Sequence, residues 1–226
     1  MPSPTRSLTW LHALHLSTGP NPAGDAWCLM EAVAELHGEG RTAAPRCASA
    51  TLTHYAHLAG DWLPDADRQQ LLTLVVPIGK TGPEDEGDTH EELEERRRMI
   101  LADYCARRFL PLVLQSLGQH ALAQPLLELA PIRNRSSAYN FVRHLDALAE
   151  HGTGPTGPMC RWMAKGLEPF LDGTSPDPAA RVIYAFDCLN RIQPPSKPAI
   201  LSVVECLRAM VTPVSTRRGW VVGSPA

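Results

Sequence analysis

The sequence contains no Cys-x-x-Cys pair and no zinc-finger spacing. Its six cysteines, Cys28, Cys47, Cys105, Cys160, Cys188 and Cys206, stand far apart. This excludes the common closed zinc folds and argues for reduced, mostly buried thiols in a cytoplasmic protein. No apolar run reaches membrane-spanning length, and the opening MPSPTRSLTWLHALHLSTG has one arginine but no sustained apolar core of the signal-peptide kind. The chain is expected to stay inside the cell without a membrane partner. Charge of a single sign is scarce as well. A net charge of -3 and a pI near 6.3 give no general attraction for nucleic acid or an anionic surface.

What the sequence does have is helical periodicity. Its 226 residues, 44% hydrophobic and 20% charged, suffice to bury a core without staples, while 21 prolines and 16 glycines imply many loops. An extended or irregular arm, residues 1–25, leads to a helix over 26–36 that Asp25 is placed to cap. Apolar residues at Leu52, Tyr55, Ala56, Ala59 and Leu63 predict a helix over 47–63, ended by Pro64. PDADRQQLLTLVV opens a third, with proline and aspartate in its first turn. A long helix over 89–117 begins with glutamates followed by Arg96, Arg97 and Arg98. Its i,i+4 pairs Glu92 with Arg96, Glu94 with Arg98 and Asp103 with Arg107 predict an exposed, self-supporting start, and Pro111 predicts a kink. QHALAQPLLELA forms a short helix that closes a helical domain of 26–132.

The second half, 133–211, reads as four shorter helices starting near Ser136, Pro158, Pro178 and Pro198, a recurrence of 20 to 22 residues. That rhythm suits stacked helices or a small antiparallel bundle. Residues 212–226 read as a loose tail. The fold class is therefore all-α, a multi-helix bundle, its halves packed together or joined flexibly near residue 133.

Two motifs invite chemistry and fail on spacing. Gly79, Lys80 and Thr81 spell the end of a phosphate-binding loop, but the glycine required five residues earlier is Leu74, and an acidic run follows in place of a helix start. A polar turn is the better reading. His54 and His57 lie about 60° apart on a helix and could share a metal, yet they oppose its apolar stripe and supply at most two ligands. His12, His15, His90, His120, His144 and His151 have no recognisable partners in the sequence.

The stretch WCLMEAVAELH carries the best candidate site. At 100° per residue, Leu29, Val33 and Leu36 gather on one side and Cys28, Glu31, Ala32 and Glu35 on the other. Glu31 and Glu35, spaced i,i+4 with like charge, cost a helix a few tenths of a kcal/mol, roughly, unless a cation binds or a proton is taken up. Cys47 could return to the same neighbourhood. Cys28, Glu31 and Cys47, with a histidine from the arm, would make a divalent-metal site, and Cys28 with Glu31 a catalytic pair. The competing reading makes Cys28 a small hydrophobe under Trp10 or Trp27 and leaves both glutamates solvated.

CLMEAVAELHGE, PRCAS, DWLPDADRQQLL, ERRRMILADYCARRFLPLVLQSLG and ALAQPLLELAPI resemble, in that order, a family of uncharacterised helical proteins from actinobacteria and their phages. The resemblance covers residues 10–132 and is most specific at CLMEA. The family pattern carries Asp-His-Pro-x-Cys before the second helix, where this chain has Ala43, Ala44, Pro45, Arg46 and Cys47. The resemblance implies a helical fold and an origin, but no reaction. Two functions follow as expectations: a helical interaction or adaptor protein, with a protein partner or self-association, or a small-molecule or metal-dependent enzyme centred on Cys28, Glu31 and Cys47.

Overall fold

Ser7 sets its side chain under the Trp10 N–H, 3.3 Å away, and so starts a short helix, α1 (Leu8–His12), inside the segment expected to be irregular. The computed structural model describes residues 7–20, 26–151, 154, 156–172 and 195–212. Among these the protein is all-α, with no strand and only an isolated bridge between Leu16 and Trp27. None of the described helices is long and apolar enough to cross a membrane. Beyond α1 the chain extends along the body. The Gln69 amide accepts the Leu16 N–H at 2.9 Å and donates to the Leu16 carbonyl at 3.0 Å, while the Leu16 side chain is fully buried.

The next helix, α2 (Leu29–Leu36), starts three residues later than expected, and every one of its residues is buried. It packs against α3 (Ala50–Trp62), which turns Leu52, Tyr55, Ala56 and Ala59 inward as their spacing predicts. The expected third helix is broken into α4 (Asp65–Arg68), a 3-10 stretch over Gln69–Leu74, and α5 (Val75–Ile78). Arg68 turns inward there, its guanidinium donating to the carbonyls of Gly60 at 2.6 Å and Leu63 at 2.7 Å, which satisfies the end of α3. The Gly-Lys-Thr turn is a structural tie. Thr81 donates to the Ile78 carbonyl and accepts the Ser49 N–H, and the Gly82 N–H reaches the Cys47 carbonyl at 2.8 Å. A Cβ at Gly82 would stand 2.5 Å from the Arg46 carbonyl oxygen, so only glycine allows this approach.

The acidic segment forms α6 (Pro83–Glu86) and a 3-10 turn before α7 (His90–Tyr104). The start of α7 is exposed at Glu91 and Glu92 as expected, but not at Glu94 and Arg97. Arg97 is the largest fully buried side chain among the described residues, and Glu94 is 6% exposed. The guanidinium of Arg97 holds both Glu86 oxygens, Glu94 at 3.0 Å and the Met210 carbonyl at 3.2 Å. The expected pairs Glu92 with Arg96 and Asp103 with Arg107 form. Glu94 is taken by Arg97 and Thr51, so Arg98 turns to Glu95 at 2.8 Å instead.

At Cys105–Phe109 the helix widens into a π turn, where the Leu110 N–H reaches back to the Cys105 carbonyl, and α8 (Leu110–Ser116) follows. Pro111 has no N–H to give and its ring crowds the preceding turn, and the irregularity beside it is this widening. The helix α9 (His120–Leu127) folds back on α8.

In the second half α10 (Arg135–His151) and α11 (Thr156–Asp172) pair along their length. Of the expected stripe, Ala138, Phe141, Val142 and Leu145 are buried and Leu148 is half-buried. The helix expected near Pro178, with Cys188, lies outside the described residues, as do Asp25 and the tail beyond residue 212. The last helix, α12 (Lys197–Val211), has its main contacts with α7, α3 and the π turn, so it is seated in the core of 26–132 rather than stacked on α10 and α11. Tyr55 donates its hydroxyl to the Val203 carbonyl at 3.3 Å across this junction. One buried cluster runs from Leu11 to Met210.

Candidate functional site

The structure brings Cys28 and Glu31 together, as a helix cap. Cys28 is the N-cap residue of α2. Its Sγ accepts the Glu31 N–H at 3.4 Å, and the Glu31 carboxylate accepts the Cys28 N–H at 3.0 Å. This is a capping box with a thiol where a hydroxyl is usual. The second Glu31 oxygen receives Arg41 Nε at 3.3 Å. The like charges of Glu31 and Glu35 therefore do not face water: they are 1% and 8% exposed, and the cation that sequence reasoning asked for at Glu31 is the chain's own Arg41.

Cys47 goes elsewhere. It lies in the loop before α3, where the Glu39 carboxylate accepts the N–H groups of Arg46 at 2.8 Å and Cys47 at 2.6 Å. Burial pushes the Cys28 thiol up to about 11, with the Glu31 charge adding to the rise. Burial and then Glu39 push Cys47 up to about 12. Both are thiols at neutral pH, poorly disposed to attack or to ligate. Among the described residues no group of three or more His, Cys, Asp and Glu is placed to hold a metal ion. The donor atoms that the metal reading needs from Cys28 and Glu31 are engaged in the cap and the Arg41 pair. His57 has its ring nitrogen 2.7 Å from the Ala43 carbonyl oxygen, which accounts for it without His54. Of the histidines without evident sequence partners, His15 stands 3.2 Å from Asp65 and His90 stands 2.9 Å from Glu86.

What sequence reasoning missed lies immediately before the cap. Trp10 and Trp27 meet edge to face with ring centroids 5.1 Å apart. With Ala13, Leu14, His15 and Ala26 they wall a cleft of about 410 Å³ that opens to solvent. The cleft exists because the bridge of Leu16 to Trp27 and the Gln69 clamp lay the arm beside the entry to α2. Arg41 supports it from outside the lining. Its guanidinium carbon lies 4.1 Å from the Trp27 ring centroid, and Nη2 donates to the Ala26 carbonyl. The capping box, the ion pair and the cation–π contact thus form one assembly that fixes one wall of the cleft. Two tryptophans in a loop-rich arm were the available signal, but nothing in the sequence sets residue 10 against residue 27.

Comparison of the chain with protein-family models, with curated proteins and with solved structures returned no match.

Proposed function

We propose that this is a helical interaction protein that seats one apolar side chain of a partner polypeptide in the cleft between Trp10 and Trp27. The observation that carries this reading is the cleft itself: a surface opening of about 410 Å³ walled by two indoles and Leu14. Its size falls within the usual range for binding sites, and tryptophan-walled pockets are favoured places for the anchor residue of an interface. An enzyme built on Cys28 gains no support from a thiol raised to about 11.

The test is fluorine NMR on protein labelled with 5-fluorotryptophan, resonances being assigned by Trp10→Phe and Trp27→Phe. N-acetyltryptophanamide and N-acetylleucinamide stand in for the anchor. Saturable shifts confined to the Trp10 and Trp27 signals are expected, and they should vanish in Leu14→Glu. If neither probe moves these signals up to its solubility limit, the proposal is overturned.

A further inference from the structure

We infer that Arg41 sets the charge preference of the Trp10–Trp27 cleft, so that the site accepts a neutral apolar anchor and refuses a cationic one. This rests on the reading of the cleft as a binding site. An indole face ordinarily attracts a cation through the negative potential above its ring, and two perpendicular indoles are a common start for a cage around an ammonium group. Here that potential is already engaged. The Arg41 guanidinium sits 4.1 Å from the Trp27 centroid, and Arg41 is not among the side chains lining the cleft.

The charge is held there firmly. Arg41 is fixed at Nε by Glu31 at 3.3 Å and at Nη2 by the Ala26 carbonyl, with a side chain only 19% exposed. Little water intervenes to screen it. Glu31 balances the charge from the Nε end while the guanidinium face meets the indole. A second cation entering the cleft would meet an indole already polarised toward a guanidinium, with that like charge close by. Among the described residues, the Asp65 carboxylate stands 3.2 Å from His15 at the rim and is itself paired with Arg68 at 3.0 Å, which leaves Arg41 as the charge in contact with the Trp27 ring. The partner's anchor is accordingly an aromatic or aliphatic side chain, not lysine or arginine.

The matched probes are N-acetyltryptamine, neutral, and tryptamine, cationic at pH 7, titrated by fluorine NMR on the labelled protein. Wild type should bind the neutral probe roughly tenfold or more tightly than the cationic one, the discrimination expected of a fixed like charge in a poorly screened wall. Arg41→Gln should bring the two affinities within about twofold, and Arg41→Lys should keep most of the preference because it keeps the charge. Glu31→Gln leaves the cap's acceptor in place while removing the countercharge, so it should widen the ratio. This last variant decides the matter even if Arg41→Gln disturbs the Trp27 signal. Equal binding of both probes by wild type, or a ratio unmoved in Glu31→Gln and Arg41→Gln, overturns the inference and leaves the cleft standing. Failure of the neutral probe to bind at all removes the cleft reading itself.

Discussion

At the scale of single residues, Cys28 has a role that a thiol performs weakly. Sulfur is a poor acceptor beside a hydroxyl, and N-caps favour Ser, Thr, Asp and Asn. Cys28→Ser is therefore expected to keep or slightly raise stability, whereas Cys28→Ala should cost about 1 kcal/mol, both read from urea midpoints. A Cys28→Ala protein as stable as the parent would remove the capping role. Glu94 gives a second prediction. Burial by itself would raise its carboxyl, but hydrogen bonds from Ser49, Thr51 and Arg97 and the Arg97 charge outweigh burial and hold it below the ordinary carboxylate range. The folded protein thus binds this proton less readily than the unfolded chain. Its contribution is complete above the unfolded value of about 4.3 and is lost as pH falls through the lower native one. Unfolding free energy should decline in that acidic window, and Glu94→Gln should lower stability at pH 7 while flattening the decline. An unchanged acid limb in the variant would contradict the assignment.

At the scale of elements, Arg97 joins three of them. Glu86 comes from α6, Glu94 from α7 itself and the Met210 carbonyl from α12. Replacing Arg97 alone, as in Arg97→Leu, strands two acids among buried surroundings and should cost about 3–5 kcal/mol in chemical denaturation. A loss below 1 kcal/mol would mean that the network is solvated in solution. This network also marks where sequence reasoning reached its limit. The faces of α3 and α10 were legible because a regular spacing of apolar residues needs only local geometry. Arg97 looked like one of three surface arginines, since its partners come from residues 86 and 210. The closeness of Cys28 and Glu31 was legible from helical spacing. Their neutralisation by Arg41 was not, because that residue arrives from the following loop, and the cleft depends on an arm whose placement rests on Gln69.

At the scale of the whole molecule, α12 closes the first half from the far end of the chain. It covers Tyr55 and supplies the last acceptor to Arg97. A protein cut to residues 26–132 would leave the Arg97 guanidinium short of a partner and the buried face of α3 open. Such a fragment should lose its near-ultraviolet circular dichroism and its cooperative urea transition while keeping much helix. A sharp transition with native spectra would show that the first half folds alone. The all-α class and the absence of a membrane-length helix among the described residues stand at this scale without reference to the cleft.

The π turn at Cys105–Phe109 can also be understood as a change of phase within one rod. Ahead of it, Leu101 and Ala102 are buried, and α7 meets α12 and α3; beyond it, Val113 and Leu114 are buried, and α8 meets α9. The wide turn takes up one residue more than a regular helix, so the residues downstream present faces about 100° from those that their spacing alone would give. Deleting Ala106 would remove the residue that the wide turn absorbs, so a regular helix would carry Val113 and Leu114 to the same seats against α9. A one-residue deletion at the turn is therefore the length change this part of the chain can absorb, because it exchanges the wide turn for a regular one and leaves both buried faces where they were, whereas the same deletion elsewhere in α7 or α8 has no extra residue to draw on.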